Sequence, residues 1–150
     1  MKIIEALLGE HGALYAQLEH LERAVLTAEM LAQIQSQMAL LSAALDTHAR
    51  LEDRLLFTAL DPYLGPMGPL TVMRMEHDQI ENLFSRISQA SSLSEAQGLV
   101  LQLIHIARDH FAKEEQVLFP MAVQILSQET LLELGVRWSE QRQVVILATV

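Results

Sequence analysis

The segment His48-Ala-Arg-Leu-Glu52-Asp-Arg-Leu-Leu-Phe57 recurs as His110-Phe-Ala-Lys-Glu114-Glu-Gln-Val-Leu-Phe119. Both copies read H-x-x-x-E-[DE]-x-[LV]-L-F, and each closes a long run whose apolar residues recur at helical spacing. The first copy ends a run from about Thr27, placed as an N-cap, to Leu60, with Leu31, Ile34, Met38, Leu41, Leu45 and Leu55 on one stripe. The second ends a run from Glu95 to at least Phe119, where Pro120 kinks or ends the helix. Each copy also follows another amphipathic run. Ile3, Ile4, Leu7, Leu8, Leu14, Leu18, Leu21 and Val25 mark the first helix, and a third helix reaches from near Leu70 to about Ala90. These two repeat as well: Glu10-His11 answers Glu76-His77, and Leu14 and Leu18 answer Ile80 and Phe84.

Between the hairpins, Asp61-Pro-Tyr-Leu-Gly-Pro-Met-Gly-Pro69 concentrates residues that break helices. The cluster Ser91-Ser-Leu-Ser94 is a loop whose serines cap the next helix, with Glu95 or Gln97 closing a capping box. A shorter fifth helix follows Ser127 and carries Trp138, and β-branched alternation appears only in the last seven residues. The expected fold is all-α, an antiparallel up-down-up-down four-helix bundle built from two similar hairpins, with a short C-terminal fifth helix. One domain over 1–150 is expected, with its bundle core at about 1–126 and the C-terminal helix and apolar tail at 127–150.

Composition excludes several function classes. The chain has 150 residues, Lys+Arg 10 against Asp+Glu 19, a net charge of −9 and no cysteine. Without cysteine there is no disulfide framework, zinc ribbon, iron–sulfur cluster or thiolate nucleophile. No basic stripe is present to bind a nucleic-acid backbone. The longest apolar run, Val144–Val150 bar Thr149, is far short of the roughly 20 residues that span a membrane. Residues 1–10 mix Lys2 with Glu5, Gly9 and Glu10, which does not read as a secretion signal, so a cytoplasmic location is expected. The VVILATV ending either packs on the bundle, pairs two copies into a homodimer, or is the stump of a longer chain.

Residues four apart share a helix face, so His48/Glu52 and His110/Glu114 each project an imidazole and a carboxylate the same way. His11 and His77 lie early in their helices, and the two H-x-x-x-E pairs lie late in theirs. In an antiparallel bundle all six groups then fall roughly 9–20 Å from one end, at a rise of about 1.5 Å per residue. Burying so many ionisable groups uncompensated is costly, and a metal offsets that cost. Imidazoles with carboxylates and no thiolate suit two iron ions ahead of manganese or zinc. Glu52 and Glu114 are expected to bridge the metals, and the histidines to cap them. That leaves room for a bridging oxo or hydroxo group and for a small diatomic or oxo ligand.

The order H…HxxxE…H…HxxxE, with EH on the third helix and HFxxEExxLFP on the fourth, resembles the hemerythrin-like HHE cation-binding family over roughly residues 1–126. The resemblance implies a four-helix bundle with a non-haem di-iron site at His11, His48, Glu52, His77, His110 and Glu114. Members of that family include oxygen carriers, oxygen, redox or iron sensors, and iron–sulfur repair proteins. Oxygen-carrying hemerythrins have a fifth histidine on the third helix, whereas the neighbours of His77 one turn away are Met73 and Glu81. Glu81 is either an added carboxylate ligand or a solvated charge. The difference moves the expectation from oxygen carriage toward sensing, ferrous oxidation, or nitric oxide or peroxide chemistry.

Other residues fall outside this set. His20 and His105 are out of phase with the seam and are expected to face outward. Tyr15 either offers its hydroxyl to the site or packs. Glu10, Glu76, Asp53 and Glu115 read as solvated groups or as hydrogen-bond partners of the ligating histidines. The expected function is a non-haem di-iron protein that senses or handles oxygen, nitric oxide or iron. The alternatives are a di-iron oxidase or peroxidase, an iron–sulfur repair activity, and a metal-poor module that dimerises through Trp138 and the tail. Ferritin-like oxidases do not fit, because their signature is ExxH and not HxxxE.

Overall fold

A computed structural model describes residues 1–145 as five helices without a strand among them. Helix α1 is Ile3–Thr27. Helix α2 comprises Leu31–Leu51, a π-helical turn at Glu52–Phe57, and Thr58–Leu64. Helix α3 is Pro69–Gln89, with Pro69 at the first helical position, where its missing N–H costs nothing. Helix α4 comprises Leu93–Lys113, a second π-helical turn at Glu114–Leu118, and Phe119–Ile125. Helix α5 is Gln128–Arg142.

Side-chain bonds at the two ends give the helix directions. Gln97 near the start of α4 donates to the carbonyl of Val25 near the end of α1 (2.9 Å), and Gln35 near the start of α2 donates to that of Ser88 near the end of α3 (3.1 Å). At the other end, the start of α1 meets the late part of α4 through His11 and Glu115. The four helices are therefore antiparallel to their neighbours, as the hairpin pattern requires, and α5 packs along α1.

The caps show where sequence signals held and where they moved. Ser92 accepts from the Glu95 N–H (3.2 Å), while Glu95 accepts from the Ser91 N–H (3.0 Å), so the serine loop does start α4. Ser127 accepts from the Thr130 N–H (3.0 Å) and starts α5. Thr27 is not the cap of α2. It ends α1, its hydroxyl bonding back to the carbonyls of Arg23 and Ala24, and α2 starts at Leu31. The Asp61-Pro62 break moves too: α2 runs through Pro62 to Leu64 and stops at Gly65, whose φ of 69° no ordinary side chain favours.

Pro120 neither ends nor starts a separate element. In the π-turn ahead of it, the Phe119 N–H bonds to the Glu114 carbonyl five residues back. That turn absorbs an extra residue and restarts the ladder, so Pro120 sits in a first turn, where its lost N–H is tolerated. The matching turn in α2 bonds the Thr58 N–H to the Asp53 carbonyl. Both wide turns begin at the glutamate of the repeated motif.

The apolar core is divided in two. One part gathers Leu14, Leu18, Met38, Leu41, Ile80, Leu83, Leu103 and Phe111, and the other Ile3, Leu7, Leu55, Phe57, Leu70, Phe119, Leu131 and Trp138. A polar layer lies between them. Helix α5 closes the second part by a close backbone approach: a Cβ on Gly135 would stand 2.2 Å from the Met1 carbonyl oxygen. Residues 146–150, most of the VVILATV tail, lie outside the described residues. Trp138 is 9% exposed and is used inside the molecule, against α1, so it is not free for a partner. Gly135→Ala is expected to destabilise the protein by about 1–3 kcal/mol through forced separation of α5 from α1. Chemical denaturation of the purified variant measures this.

Candidate metal centre

The polar layer holds all six residues singled out by the repeated motifs. Each replaces an apolar residue on a core stripe: His11 between Leu7 and Leu14, His77 between Met73 and Ile80, and the pairs His48/Glu52 and His110/Glu114 between Leu45 and Leu55 and between Ala107 and Leu118. His11, His48, Glu52, His110 and Glu114 are buried, and His77 nearly so. They form two quartets that share both glutamates, one with His11 and His48, the other with His77 and His110.

The distances suit cations. His11 Nε2 is 3.1 Å from His48 Nε2 and 3.3 Å from Glu114, and His48 Nε2 is 3.4 Å from Glu52. Across the pseudo-twofold axis, His77 Nε2 is 3.0 Å from His110 Nε2 and 3.5 Å from Glu52, and His110 Nε2 is 3.4 Å from Glu114. Nitrogen and oxygen ligands at about 2.1 Å from a metal, in tetrahedral to octahedral geometry, stand about 3.0–3.4 Å apart.

The other ring nitrogens explain why these donors converge. His11 Nδ1 is 2.8 Å from Glu115, His48 Nδ1 2.6 Å from Glu10, and His110 Nδ1 3.0 Å from Glu76. A carboxylate at Nδ1 calls for a hydrogen there, which in the neutral ring leaves Nε2 as a bare lone pair. His77 Nδ1 faces Asp53 at 3.7 Å, an ion-pair distance too long for a hydrogen bond. Both oxygens of Glu52 and both of Glu114 are buried without any hydrogen-bond partner. Lone pairs aimed at one another and four orphaned carboxylate oxygens are a costly arrangement that a bound cation relieves.

Three of the four outer carboxylates are themselves held. Glu10 accepts from Trp138 Nε1 (2.7 Å) and from Arg142 Nε (2.6 Å), both on α5. Burial raises its affinity for a proton, but His48 and Arg142 overcome this and hold Glu10 down at about 2. In the other half, Lys113 bonds to Glu76, and Arg74 bonds to Asp53 (3.2 Å) and to both oxygens of Asp61 (3.0 and 2.9 Å).

In the metal-free chain the six groups divide their protons unequally. Burial pushes Glu52 up, but His48, His77 and His110 win and hold it at about 2. Glu114 goes well above the carboxylate range, through burial and the charge of Glu52. Burial and the neighbouring His77 take His110 down to about 4, and burial and His48 lower His11. Burial alone would lower His77, yet Asp53 and Glu52 raise it to about 9. In the metal-free chain His77 and Glu114 are thus both driven toward their protonated forms, and a cation entering the layer would compete with those protons.

Glu81 is exposed and joins neither quartet. Tyr15 packs edge-on against Phe111 (5.4 Å) and His11 (6.4 Å), and burial followed by the charge of Glu115 raises its hydroxyl. His20 and His105 are exposed, His105 lying 3.4 Å from Asp109 on its own helix. Sequence reasoning missed Trp138, Arg142, Lys113 and Arg74, which act only through other side chains.

A raised imidazole stabilises the fold fully below its unfolded pKa of 6.5, and that contribution is lost as pH climbs through about 9. Metal-free protein is thus expected to lose stability between pH 6.5 and 9, and His77→Gln to flatten that slope. Thermal unfolding across the range, with a chelator present, checks this.

Among the described residues no helix is long and apolar enough to cross a membrane. The family model of the hemerythrin HHE cation binding domain matches residues 2–127, while α5 lies beyond the match. No curated protein and no solved structure matches the chain. With the match covering α1 to α4 and the two quartets inside it, the chain belongs to the hemerythrin HHE cation-binding family.

Proposed function

We propose that the polar layer is a non-haem two-metal centre. Glu52 and Glu114 bridge the metals, His11 and His48 cap one, and His77 and His110 cap the other. The supporting observation is the convergence of four Nε2 atoms on two glutamates whose four buried oxygens have no other partner. The donor set, imidazole and carboxylate without sulfur, suits two iron ions with a bridging oxo or hydroxo group, ahead of manganese or zinc. Such a pair supplies exchangeable coordination positions and redox change, and the function is the sensing or handling of oxygen, nitric oxide or iron.

The chain's own residues do three things for that centre. Glu115, Glu10 and Glu76 fix the tautomer and ring plane of His11, His48 and His110. The apolar cores on both sides exclude water, which strengthens each charge interaction in the layer. Trp138 and Arg142 immobilise Glu10, so α5 acts on the His48 side through two successive hydrogen bonds.

Elemental analysis of protein from iron-replete cells is expected to give two irons per chain, with near-ultraviolet oxo-bridge absorption after air exposure. Glu52→Ala and Glu114→Ala are each expected to lose the paired centre. If both variants keep two metals, the bridging roles are wrong, and if the wild type carries zinc instead, the redox reading goes with it. Arg142→Gln should weaken metal binding about 10–100-fold by freeing Glu10. Competition against a chelating dye measures that affinity.

A further inference from the structure

The two halves of the bundle repeat each other closely around the cluster except at two places. Phe57 stacks on His77 (5.7 Å between centroids, 5° between planes), and its equivalent Phe119 stacks on His11 (5.4 Å, 27°). A second ring, Phe111, also stacks on His11 (4.3 Å, 27°), and Tyr15 meets Phe111 edge-on. By the register of the repeat, the residue equivalent to Phe111 is Ala49, and the residue equivalent to Tyr15 is Glu81. Beside His77, then, a methyl group and a solvent-facing carboxylate stand where the other half has two aromatic rings.

The missing volume is present as space. A cavity of about 510 Å³ lies between α2 and α3, with Ala49, Asp78 and Glu81 on its walls and His48, His77 and His110 at its inner end. Helix α1 contributes nothing to it, and His11 does not line it. Exposure follows the same division: the His77 side chain is 11% exposed and that of His11 is 1%.

We infer that this cavity is the binding site for a small uncharged exogenous ligand, which passes between α2 and α3 and reaches the metal position of His77 and His110. Phe111 and Tyr15 close the corresponding way to His11. The inference rests on the two-metal reading above and adds which metal position is open and to what. The chemical class follows from the walls. They mix apolar surface, from Ala39, Ala43, Leu45, Ile80 and Phe84, with acidic side chains, which suits a small neutral molecule such as a diatomic gas or one of peroxide size. Asp78 and Glu81 stand exposed on α3 without an ion-pair partner among the described residues, and their charge repels anions. Of the charged groups on the facing wall, Asp46 and Arg50 neutralise each other at 2.8 Å, and Asp53 pairs with Arg74 at 3.2 Å.

The test uses iron-loaded full-length protein, with nitric oxide as the probe of the ferrous form and azide as the probe of the ferric form. Ala49→Phe combined with Glu81→Tyr copies the closed half into the open one, and Ala49→Leu narrows the cavity with less demand on the fold. Both variants are expected to keep two irons and the wild-type absorption spectrum. The double variant is expected to lose the spectral response to nitric oxide, and Ala49→Leu to slow it. Glu81→Gln is expected to bind azide more tightly than the wild type. A wild-type protein without two metals overturns the two-metal reading and this inference with it. Full iron in every variant with an unchanged nitric oxide response overturns this inference alone. Should the double variant fail to hold iron, an Ala49→Leu response as fast as wild type is the overturning result. Equal azide affinity in wild type and Glu81→Gln overturns the assignment of an uncharged ligand.

Discussion

The constraint on which this structure turns is the burial of Glu52 and Glu114 in one layer with four imidazoles. Two carboxylates shut away from water, with none of their oxygens hydrogen-bonded, cost several kcal/mol each unless charge is supplied. The metal-free chain compensates in part by pushing His77 and Glu114 toward their protonated forms while the surrounding imidazoles hold Glu52 low. On the two-metal reading a pair of divalent cations would do it better, since they would replace protons that hold only one lone pair each. The energy of loading is then also energy of folding, because no such convergence of donors exists in the unfolded chain.

Around that layer the rest of the fold is support. The two apolar cores lie above and below it, so displacement of any of α1 to α4 would move one of the six donors. The π-turns begin at Glu52 and Glu114 and insert one extra residue into each ladder there. Features of this kind are frequent at functional sites, because they re-aim side chains without ending a helix. Here they also reset the phase ahead of Pro120, which lets α4 continue to Ile125 and join the loop that starts α5.

Much of this was legible in the sequence, and for a definite reason. H-x-x-x-E fixes two donors to one face by the helical period alone, and depth along an antiparallel pair follows from the rise per residue. The placement of His11, His48, Glu52, His77, His110 and Glu114 in one layer needed nothing more. The π-turns carry no comparable signature: Glu52 and Glu114 look like ordinary helical positions. Helix ends at Thr27 and Asp61 were misplaced because a hydroxyl or a proline marks a tendency, whereas the left-handed Gly65 makes the actual stop. The partners of Glu10 were out of reach altogether. Trp138 and Arg142 stand 128 and 132 residues away in the chain and lie on a helix beyond the repeat.

That last point bears on how a duplicated bundle comes to have unlike halves. The repeat supplies the same carboxylate to His48 and to His110, as Glu10 and Glu76. What anchors those carboxylates differs. Glu76 is held by Lys113, a half-exposed side chain with a mobile stem, whereas Glu10 is gripped by a planar guanidinium and an indole on α5. The half anchored by α5 is also the half closed by Phe111 and Tyr15, and the half anchored by Lys113 is the one beside the cavity. The firmer anchor therefore goes with the closed half at His48 and the looser one with the open half at His110, while at the other two histidines the order reverses, Arg74 holding Asp53 beside His77 and Glu115 beside His11 bonding to that histidine alone. A ligand that must bind and leave needs a coordination shell able to adjust, and a metal that must stay needs one that is fixed. On the two-metal reading, closure by Phe111 and Tyr15 with the grip of α5 on Glu10 would favour a fixed metal at His11 and His48, and the cavity an exchanging ligand at His77 and His110.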